Sequence, residues 1–362
     1  MKSFLIIMFA LFTIEVKAQS LIDTVIESSA RQALVEGIKE FGDDISTAGV
    51  VIMQTSGNVI ANISICQHEG EIKDIPHGNE EYVPAAIGRA ALYLSMMDKL
   101  KPNFEVDAQG GLYRDSLTGC TIIDMNHHLG GYGILTLNQA FDRSDVGMIK
   151  AAEVAFNKSM NRYGAAIKKT GIFFDSIIDD DTDNYYDDEF EQPWTPCDII
   201  GYKSKYSLLQ QTAWVNMVAN GGKLIIRCDE NDPIIPFCEI KNKPGLDSLA
   251  SAMLECVEDG LGRKMKSNRV HVAGLADVTP ADARNCRGCF AAAFLPYEAP
   301  KYTIGVYVNK YGLPAGRLIP TRIAGAIVNT LVEQNLNLIV GKEESAKSVK
   351  GLERTGYHRA EK

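Results

Sequence analysis

The predicted strands of this 362-residue chain lie near its two ends, on either side of a long helical stretch. Residues 49–54 and 59–65 are rich in valine and isoleucine and flank a glycine-containing turn, which predicts a β-hairpin. A strand at 270–274 and a pair of strands at 290–294 and 302–308 are predicted far along the chain. Because strands joined by hairpins pair antiparallel, we expect an antiparallel sheet.

Helical patterns fill the stretch between these strands. Residues 84–100 are apolar nearly all round, as in a buried helix. Thr136-Leu-Asn-Gln139 and Ser207-Leu-Leu-Gln210 have the spacing of capping boxes, which open helices, and a long helix is predicted over 146–168. We therefore predict an α+β fold, an antiparallel sheet flanked by helices, with an inserted all-helical subdomain over about residues 84–220.

The N-terminus has the composition of an export signal. Lys2 supplies a positive charge, residues 4–14 are apolar, and Ala18 stands where a signal peptidase would cleave. The apolar run is shorter than the roughly 20 residues that span a membrane. We expect an exported protein, periplasmic or secreted, with no transmembrane segment after cleavage. An uncleaved anchor is the alternative.

Composition sets the expected domain and excludes one class of partner. After a signal peptide at residues 1–18, residues 19–340 are long and apolar enough for one large domain, since 46% of the chain is hydrophobic. Residues 341–362 are rich in lysine, glutamate and serine, which predicts a flexible tail. The net charge of −9 argues against nucleic acid as a partner.

The cysteines suggest disulfides, because an oxidising compartment favours them. The candidate pairs are Cys228 with Cys238, which flank a predicted hairpin, and Cys286 with Cys289, which form a single CxxC. The CxxC is read as a local disulfide or two free thiols, with a redox or metal pair as the alternative. One CxxC without a second is weak support for zinc, so we predict no metal and no cofactor.

A strongly acidic segment stands in the middle of the chain. Residues 175–191 contain nine acidic side chains, interleaved with Tyr185, Tyr186 and Phe190. The carboxylate spacing is similar to that of an EF-hand, but Asn184 stands where the glycine is needed and Phe190 where the glutamate is needed. We interpret the segment as a solvated acidic loop, with a partner-binding surface as the alternative.

Four strings, in this order and spacing, carry a family resemblance. They are the hairpin at 49–61, Leu-Thr-Leu-Asn-Gln-Ala-Phe at 135–141, the helix that ends in Ala-Asn-Gly-Gly at 206–222, and Phe-Ala-Ala-Ala-Phe-Leu-Pro at 290–296. Over about residues 20–335 the chain resembles the transpeptidase domain of penicillin-binding proteins, which shares its fold with serine β-lactamases. The resemblance implies three catalytic motifs: Ser-x-x-Lys, Ser-x-Asn and Lys-Thr/Ser-Gly.

The first motif is lost at the position where the resemblance puts it. Ala86 stands at the place of the nucleophilic serine, and a methyl group cannot be acylated. Arg89 stands at the place of the lysine and cannot act as a neutral base. No serine in the chain has a lysine three residues later. Arg89 is read as a structural arginine, with attraction of a substrate carboxylate as the alternative.

The second motif falls at Ser144-Asp145-Val146. Valine replaces the amide side chain of the family and cannot hydrogen-bond a substrate or the lysine position. We interpret Ser144 as the N-cap of the helix that follows, with a role in proton relay as the alternative.

The third motif falls at Leu275-Ala276-Asp277. Where the family has a cationic strand, this chain has two apolar residues followed by an acidic one. Asp277 would repel the carboxylate of a peptide or β-lactam. A literal Lys169-Thr-Gly171 lies at a predicted helix end, too early in the chain to serve.

These losses together predict a pseudoenzyme that cannot acylate. It would act as a binding or scaffold module at the cell envelope, for peptidoglycan fragments or another exported protein. One alternative is a weakly active or altered D,D-transpeptidase or carboxypeptidase that uses Ser144 or a cysteine. Another is a sensor that binds muropeptides or β-lactams without a covalent bond. The motif placement requires Ala86, Ser144 and Leu275 to converge in space.

Overall fold

The computed structural model describes residues 22–76, 81–172, 195–227, 232–314 and 316–334. The predicted signal, the acidic segment, the tail and Cys228 lie outside the described residues. Within these ranges, no helix is long and apolar enough to cross a membrane.

The strands and helices are named here in chain order. The strands are β1 (Ile45–Gln54), β2 (Val59–His68), β3 (Glu71–Asp74), β4 (Glu81–Tyr82), β5 (Glu105–Asp107), β6 (Leu112–Arg114), β7 (Thr121–Ile123), β8 (Ile134–Thr136), β9 (Tyr206–Ser207), β10 (Lys223–Leu224), β11 (Cys238–Glu239), β12 (Ala273–Val278), β13 (Cys286–Leu295) and β14 (Tyr302–Tyr311). The helices are α1 (22–39), α2 (Ala85–Met96), α3 (Leu137–Arg143), α4 (Asp145–Phe156), α5 (Met160–Lys168), α6 (Pro196–Ile199), α7 (Leu208–Ala219), α8 (Lys243–Glu258) and α9 (Leu318–Gln334).

The two ends of the chain build one six-stranded sheet. Its strand order is β12-β13-β14-β1-β2-β3, and every neighbouring pair is antiparallel. The first hairpin joins the C-terminal strands through β1 and β14, where Val50 lies opposite Val306. The predicted antiparallel sheet is therefore confirmed, and the α+β class with it.

The sheet separates two hydrophobic cores. Alternate residues of a strand face opposite sides, so neighbours such as Leu275 and Ala276 enter different cores. The core that contains Ala276 is closed by α1 and α9, with Leu34 and Ile323 among its buried residues. The core that contains Leu275 is closed by α2, α7 and α8. The second core holds the candidate site.

An all-helical subdomain was predicted over about residues 84–220, but the region between β3 and β12 also contains strands. Besides α2 to α8 it contains four two-stranded pairs: β4 with β9, β5 with β8, β6 with β7, and β10 with β11. Their strands have two or three residues each, too short to give an alternating pattern in the sequence. Several turns beside them use glycine at positive φ, including Gly111 (φ 73°) and Gly131 (φ 80°).

Helix starts were predicted better than helix continuity. Both capping boxes are present, with Thr136 opening α3 and Ser207 opening α7. The helix predicted over 146–168 is instead two helices, α4 and α5. Asn157 (φ 53°) and Lys158 (φ 57°) adopt the left-handed conformation and end α4.

Candidate functional site

Arg89 of α2 lies between two carboxylates from distant parts of the chain. Its Nη1 is 3.3 Å from Oδ1 of Asp145, and its Nη2 is 3.0 Å from Oδ2 of Asp277. The three residues are 3%, 7% and 4% exposed, so this is a buried ionic cluster. It joins the three places at which the resemblance puts the catalytic motifs.

Local structure explains why these side chains meet. Arg89 follows Ala86 by three residues on α2, so both lie on the same helix face. Asp145 is the first residue of α4, where the helix N-terminus favours a negative charge. Asp277 shares its face of β12 with Leu275, which faces α2 and the inserted helices.

Asp145 has a second partner besides Arg89. The hydroxyl of Tyr202 donates a hydrogen bond to Oδ2 of Asp145. Burial raises the pKa of Asp145 to about 6; Arg89 opposes this shift and the charge of Asp277 adds to it. Burial and the adjacent Asp145 also raise the pKa of Tyr202, so its hydroxyl keeps its proton and acts as a donor.

The cluster extends weakly to a second arginine. Nη2 of Arg317, just before α9, is 4.0 Å from Oδ1 of Asp277, and that oxygen accepts a hydrogen bond of 2.7 Å from the backbone N–H of Val278. Burial disfavours the charge of Arg89, but Asp277 and Asp145 outweigh it and raise the pKa of Arg89 above its ordinary value. Arg89 is therefore a permanent cation with its charge compensated.

Ser144 acts as a helix cap. Its Oγ accepts a hydrogen bond of 2.8 Å from Gly147 N–H at the start of α4 and donates one of 2.6 Å to Asp124 Oδ2. The other oxygen of Asp124 accepts a hydrogen bond of 3.1 Å from Val146 N–H. Ser144 is 0% exposed, so a substrate carbonyl has no access to its hydroxyl.

Asp124 was missed from the sequence. It is buried just after β7, and this burial raises its pKa, while the hydrogen bond from Ser144 opposes the shift. A lone aspartate after a three-residue strand gave no signal, because its partners Ser144 and Val146 are 20 and 22 residues away.

Within the second motif, Asp145 and not Val146 faces the first-motif position. Asp145 contacts Arg89, whereas Val146 is buried among apolar side chains of the inserted region. From the sequence, Val146 was expected to stand where the family has the amide side chain that contacts the lysine. Of the two residues, Asp145 is the one that contacts Arg89.

A short stretch of chain covers the start of α2. We call residues 195–202 the cover segment; it contains α6 and ends at Tyr202. A Cβ added to Gly88 would lie 2.3 Å from the backbone oxygen of Ile200, so only glycine permits this approach. Ala86, two residues earlier, is 1% exposed. The position at which the resemblance puts the nucleophile is therefore packed against protein.

The cysteine pairs differ from those expected. A disulfide joins Cys120 to Cys197 and ties the cover segment to the loop between β6 and β7. Cys286 and Cys289 are not joined by a disulfide, because residues three apart on a strand face opposite sides and lie too far apart to pair. Cys238 is a free thiol, and Cys228, with which it was expected to pair, lies outside the described residues.

The buried thiols are poor candidates for a relocated nucleophile. Burial raises the pKa of Cys289 to about 12 and raises those of Cys256, Cys286 and Cys238 as well. The thiolate is the reactive form, so a raised pKa lowers reactivity at neutral pH. The literal Lys169-Thr-Gly171 follows α5: Lys169 is the C-cap of this helix, and Gly171 adopts φ 68° two residues later.

Comparison with known proteins gives the class of fold. No protein-family model and no curated protein sequence matches the chain. Many solved structures do, and they show that the chain has the fold of a penicillin-binding-protein transpeptidase domain.

Three of these structures illustrate the likeness. The transpeptidase domain of penicillin-binding protein 3 from Burkholderia pseudomallei has a TM-score of 0.64 and 14% identity, over 86% of this chain and 94% of that one. A peptidoglycan glycosyltransferase from Burkholderia ambifaria gives 0.65 and 15%, over 87% and 97%. A peptidoglycan synthetase from Bifidobacterium adolescentis gives 0.65 and 14%, over 85% of this chain but 60% of that one. Identities this low establish the fold alone.

Proposed function

We propose that this chain is an exported pseudoenzyme with a transpeptidase-like fold. It would act at the cell envelope as a binding or scaffold module for peptidoglycan fragments or for another exported protein. The observation that carries the proposal is the placement of Arg89 between Asp145 and Asp277, beside Ala86. A buried, charge-compensated cluster stands where acyl transfer would need a nucleophile and a base.

The chemical argument begins with the nucleophile. Removal of a catalytic serine lowers turnover by about 10⁶-fold in a serine protease. Ala86 removes that serine, and Arg89 cannot supply a neutral amine in place of the lysine. The third-motif strand has Leu275 and Asp277 in place of a cation, so the strand itself supplies no positive charge for the carboxylate of a substrate.

The compensated charge of Arg89 also argues against a substrate-binding role for this residue. Two carboxylates already neutralise the guanidinium, so a third would add repulsion from Asp145 and Asp277. We therefore prefer the structural interpretation of Arg89. We therefore place the second motif at Arg143-Ser144-Asp145. In this placement the third residue of the motif is Asp145, which contacts Arg89.

The cluster has a structural role at the positions where the family has its catalytic residues. It connects α2, α4 and β12, three elements separated by long stretches of chain. Breaking a buried ion pair by removing one partner commonly destabilises a protein by about 3–5 kcal/mol. The fold is then retained as a surface for recognition, which is consistent with a binding or scaffold role.

Covalent labelling with a fluorescent penicillin tests the proposal. The purified chain and an active penicillin-binding protein are incubated with the label, denatured and compared on a gel. We expect the band of the active protein to fluoresce and that of this chain to stay dark. A label that survives denaturation and disappears in Ser144→Ala would favour the altered-enzyme alternative.

Export needs a separate test. Residues 1–25 are fused to a reporter enzyme that is active only outside the cytoplasm, with a matched fusion in which Leu5 and Ile6 are replaced by aspartate. Reporter activity in the first fusion and none in the second supports export. Equal activity in both fusions, or none in either, contradicts it.

A further inference from the structure

A cleft lies at the opposite end of α2 from the ionic cluster. It has a volume of about 530 Å³ and is bounded by the end of α2, by α5 and by residues 240–242. Helix α2 rises about 10 Å between Arg89 and Met96, at 1.5 Å per residue. This distal cleft is therefore separate from the vestigial catalytic positions, and its volume falls in the range of small-molecule sites, about 300–1,000 Å³.

The floor of the distal cleft is apolar. Leu94, Phe156 and Ile240 are buried there, and Ala166 contributes a further methyl group. An apolar floor favours a ligand with a hydrocarbon or aromatic body, because such a body leaves water on binding. Ala165, also in the lining, adds no charge.

The rim of the distal cleft is cationic. Lys99, Arg162, Lys169 and Lys241 line it and are exposed. Among the residues that the structure describes, none of these four forms an ion pair. This concentration of positive charge stands out on a chain whose net charge is −9.

Two contacts organise this rim. Nζ of Lys99 lies 4.1 Å from the centre of the Phe156 ring, a cation–π contact that places an ammonium group beside the floor. Asp98, the one carboxylate among the described residues that line the cleft, accepts a hydrogen bond of 2.9 Å from Nδ2 of Asn242. Asp98 therefore leaves most of the cationic charge uncompensated.

We propose that the distal cleft binds a small organic anion with an apolar or aromatic body. The body lies on Leu94, Phe156 and Ile240, and the carboxylate or phosphate of the ligand is held by the cationic rim. Charge complementarity selects the anion, and the depth of the cleft selects the apolar group. This binding needs no part of the vestigial catalytic cluster, so it stands independently of the proposed function.

The probe is 8-anilinonaphthalene-1-sulfonate, an aromatic anion that fluoresces when it leaves water. The full chain is titrated with the probe, and phenyl phosphate and dodecanoate are used as competitors to distinguish phosphate from carboxylate ligands. We expect saturable binding at one site and displacement by at least one competitor. Unsaturable fluorescence, or none, would overturn the proposal.

Charge-reversal variants locate the site. Arg162→Glu with Lys241→Glu should weaken probe binding by about tenfold or more, since it removes two cations and adds two anions. The matched control, Lys39→Glu with Lys301→Glu, changes the net charge equally at exposed positions outside the cleft and should leave the dissociation constant within about twofold. Equal weakening in both pairs would mean general electrostatic attraction and would contradict the proposal.

A third variant fills the cleft without changing charge. Ala166→Trp should abolish saturable binding while the circular dichroism spectrum stays native. The test also has an outcome for the acidic segment at 175–191, which combines carboxylates with aromatic side chains and so has the chemistry expected of the ligand. If the probe binds only after the carboxylates of this segment are changed to amides, the chain fills its own cleft and the proposal of a ligand site is wrong.

Discussion

Nη2 of Arg89 lies 3.0 Å from Oδ2 of Asp277, although 188 residues separate them in the chain. The contact joins the helix that would carry a catalytic serine to the strand that would carry a substrate-binding cation. Because both partners are buried, their charges interact more strongly than a surface pair would. We therefore expect Arg89 to be important for the stability of this part of the fold.

Replacement of this arginine should be strongly destabilising. Arg89→Met keeps the length of the side chain but leaves Asp145 and Asp277 without a cation, and we expect a loss of about 3–5 kcal/mol in the free energy of unfolding. The matched control is Arg322→Met, which breaks an exposed pair with Glu40 and should change stability by less than about 1 kcal/mol. Denaturation in urea measures both.

Neutralising the partners should reverse this loss. In Arg89→Met with Asp145→Asn and Asp277→Asn, no charge of the trio is left unpaired, so stability should recover by about 2 kcal/mol or more relative to the single variant. No recovery in the triple variant would show that Arg89 stabilises the fold by packing rather than by charge.

The stability contributed by Asp145 should depend on pH in a defined direction. Its pKa is raised from 3.8 to about 6 in the folded protein, so the folded state binds the proton more tightly than the unfolded state. The corresponding stability is fully present below pH 3.8 and is lost as pH rises through about 6. Between pH 5 and 7 the wild type should therefore lose more stability than Asp145→Asn. A larger loss in the variant would contradict the raised pKa.

The cover segment should be sensitive to a single methyl group. Gly88→Ala puts a Cβ 2.3 Å from the backbone oxygen of Ile200, and overpacking of this kind destabilises by about 1–3 kcal/mol. Gly110→Ala is the control, since its added Cβ would have no atom closer than 4.0 Å. Limited trypsin digestion should cut faster after Lys203 in Gly88→Ala only. Unchanged cleavage would mean that the segment does not depend on this contact.

The disulfide between Cys120 and Cys197 should stabilise the fold. It closes a loop across a separation of 77 residues, and its removal by Cys120→Ser with Cys197→Ser should lower the free energy of unfolding by about 2–4 kcal/mol. A reductant should destabilise the wild type and leave the double variant unchanged. If the reductant does not change the free energy of unfolding of the wild type, the disulfide is not formed in solution.

Local sequence signals predicted much of the fold. The capping boxes at Thr136 and Ser207 fixed two helix starts, because cap and helix lie within four residues of each other. The hairpin of β1 and β2 followed from its turn. The break at Asn157 and Lys158 was missed, since neither residue is a strong helix breaker by composition.

The site itself was only partly predictable. The resemblance located Ala86, Arg89 and Asp277, but their pairing depends on tertiary contacts that no spacing encodes. Asp124 and Tyr202 gave no signal for the same reason. The partner of Cys197 could not be deduced either, because eight cysteines allow many pairings.

The most direct test of the central claim is the intact mass of the protein after prolonged exposure to a β-lactam. The purified chain is incubated with excess benzylpenicillin and weighed under denaturing conditions, beside an active penicillin-binding protein. The account predicts an unchanged mass for this chain and an acyl adduct on the active protein. An adduct on this chain that maps to a single serine or cysteine would contradict the account.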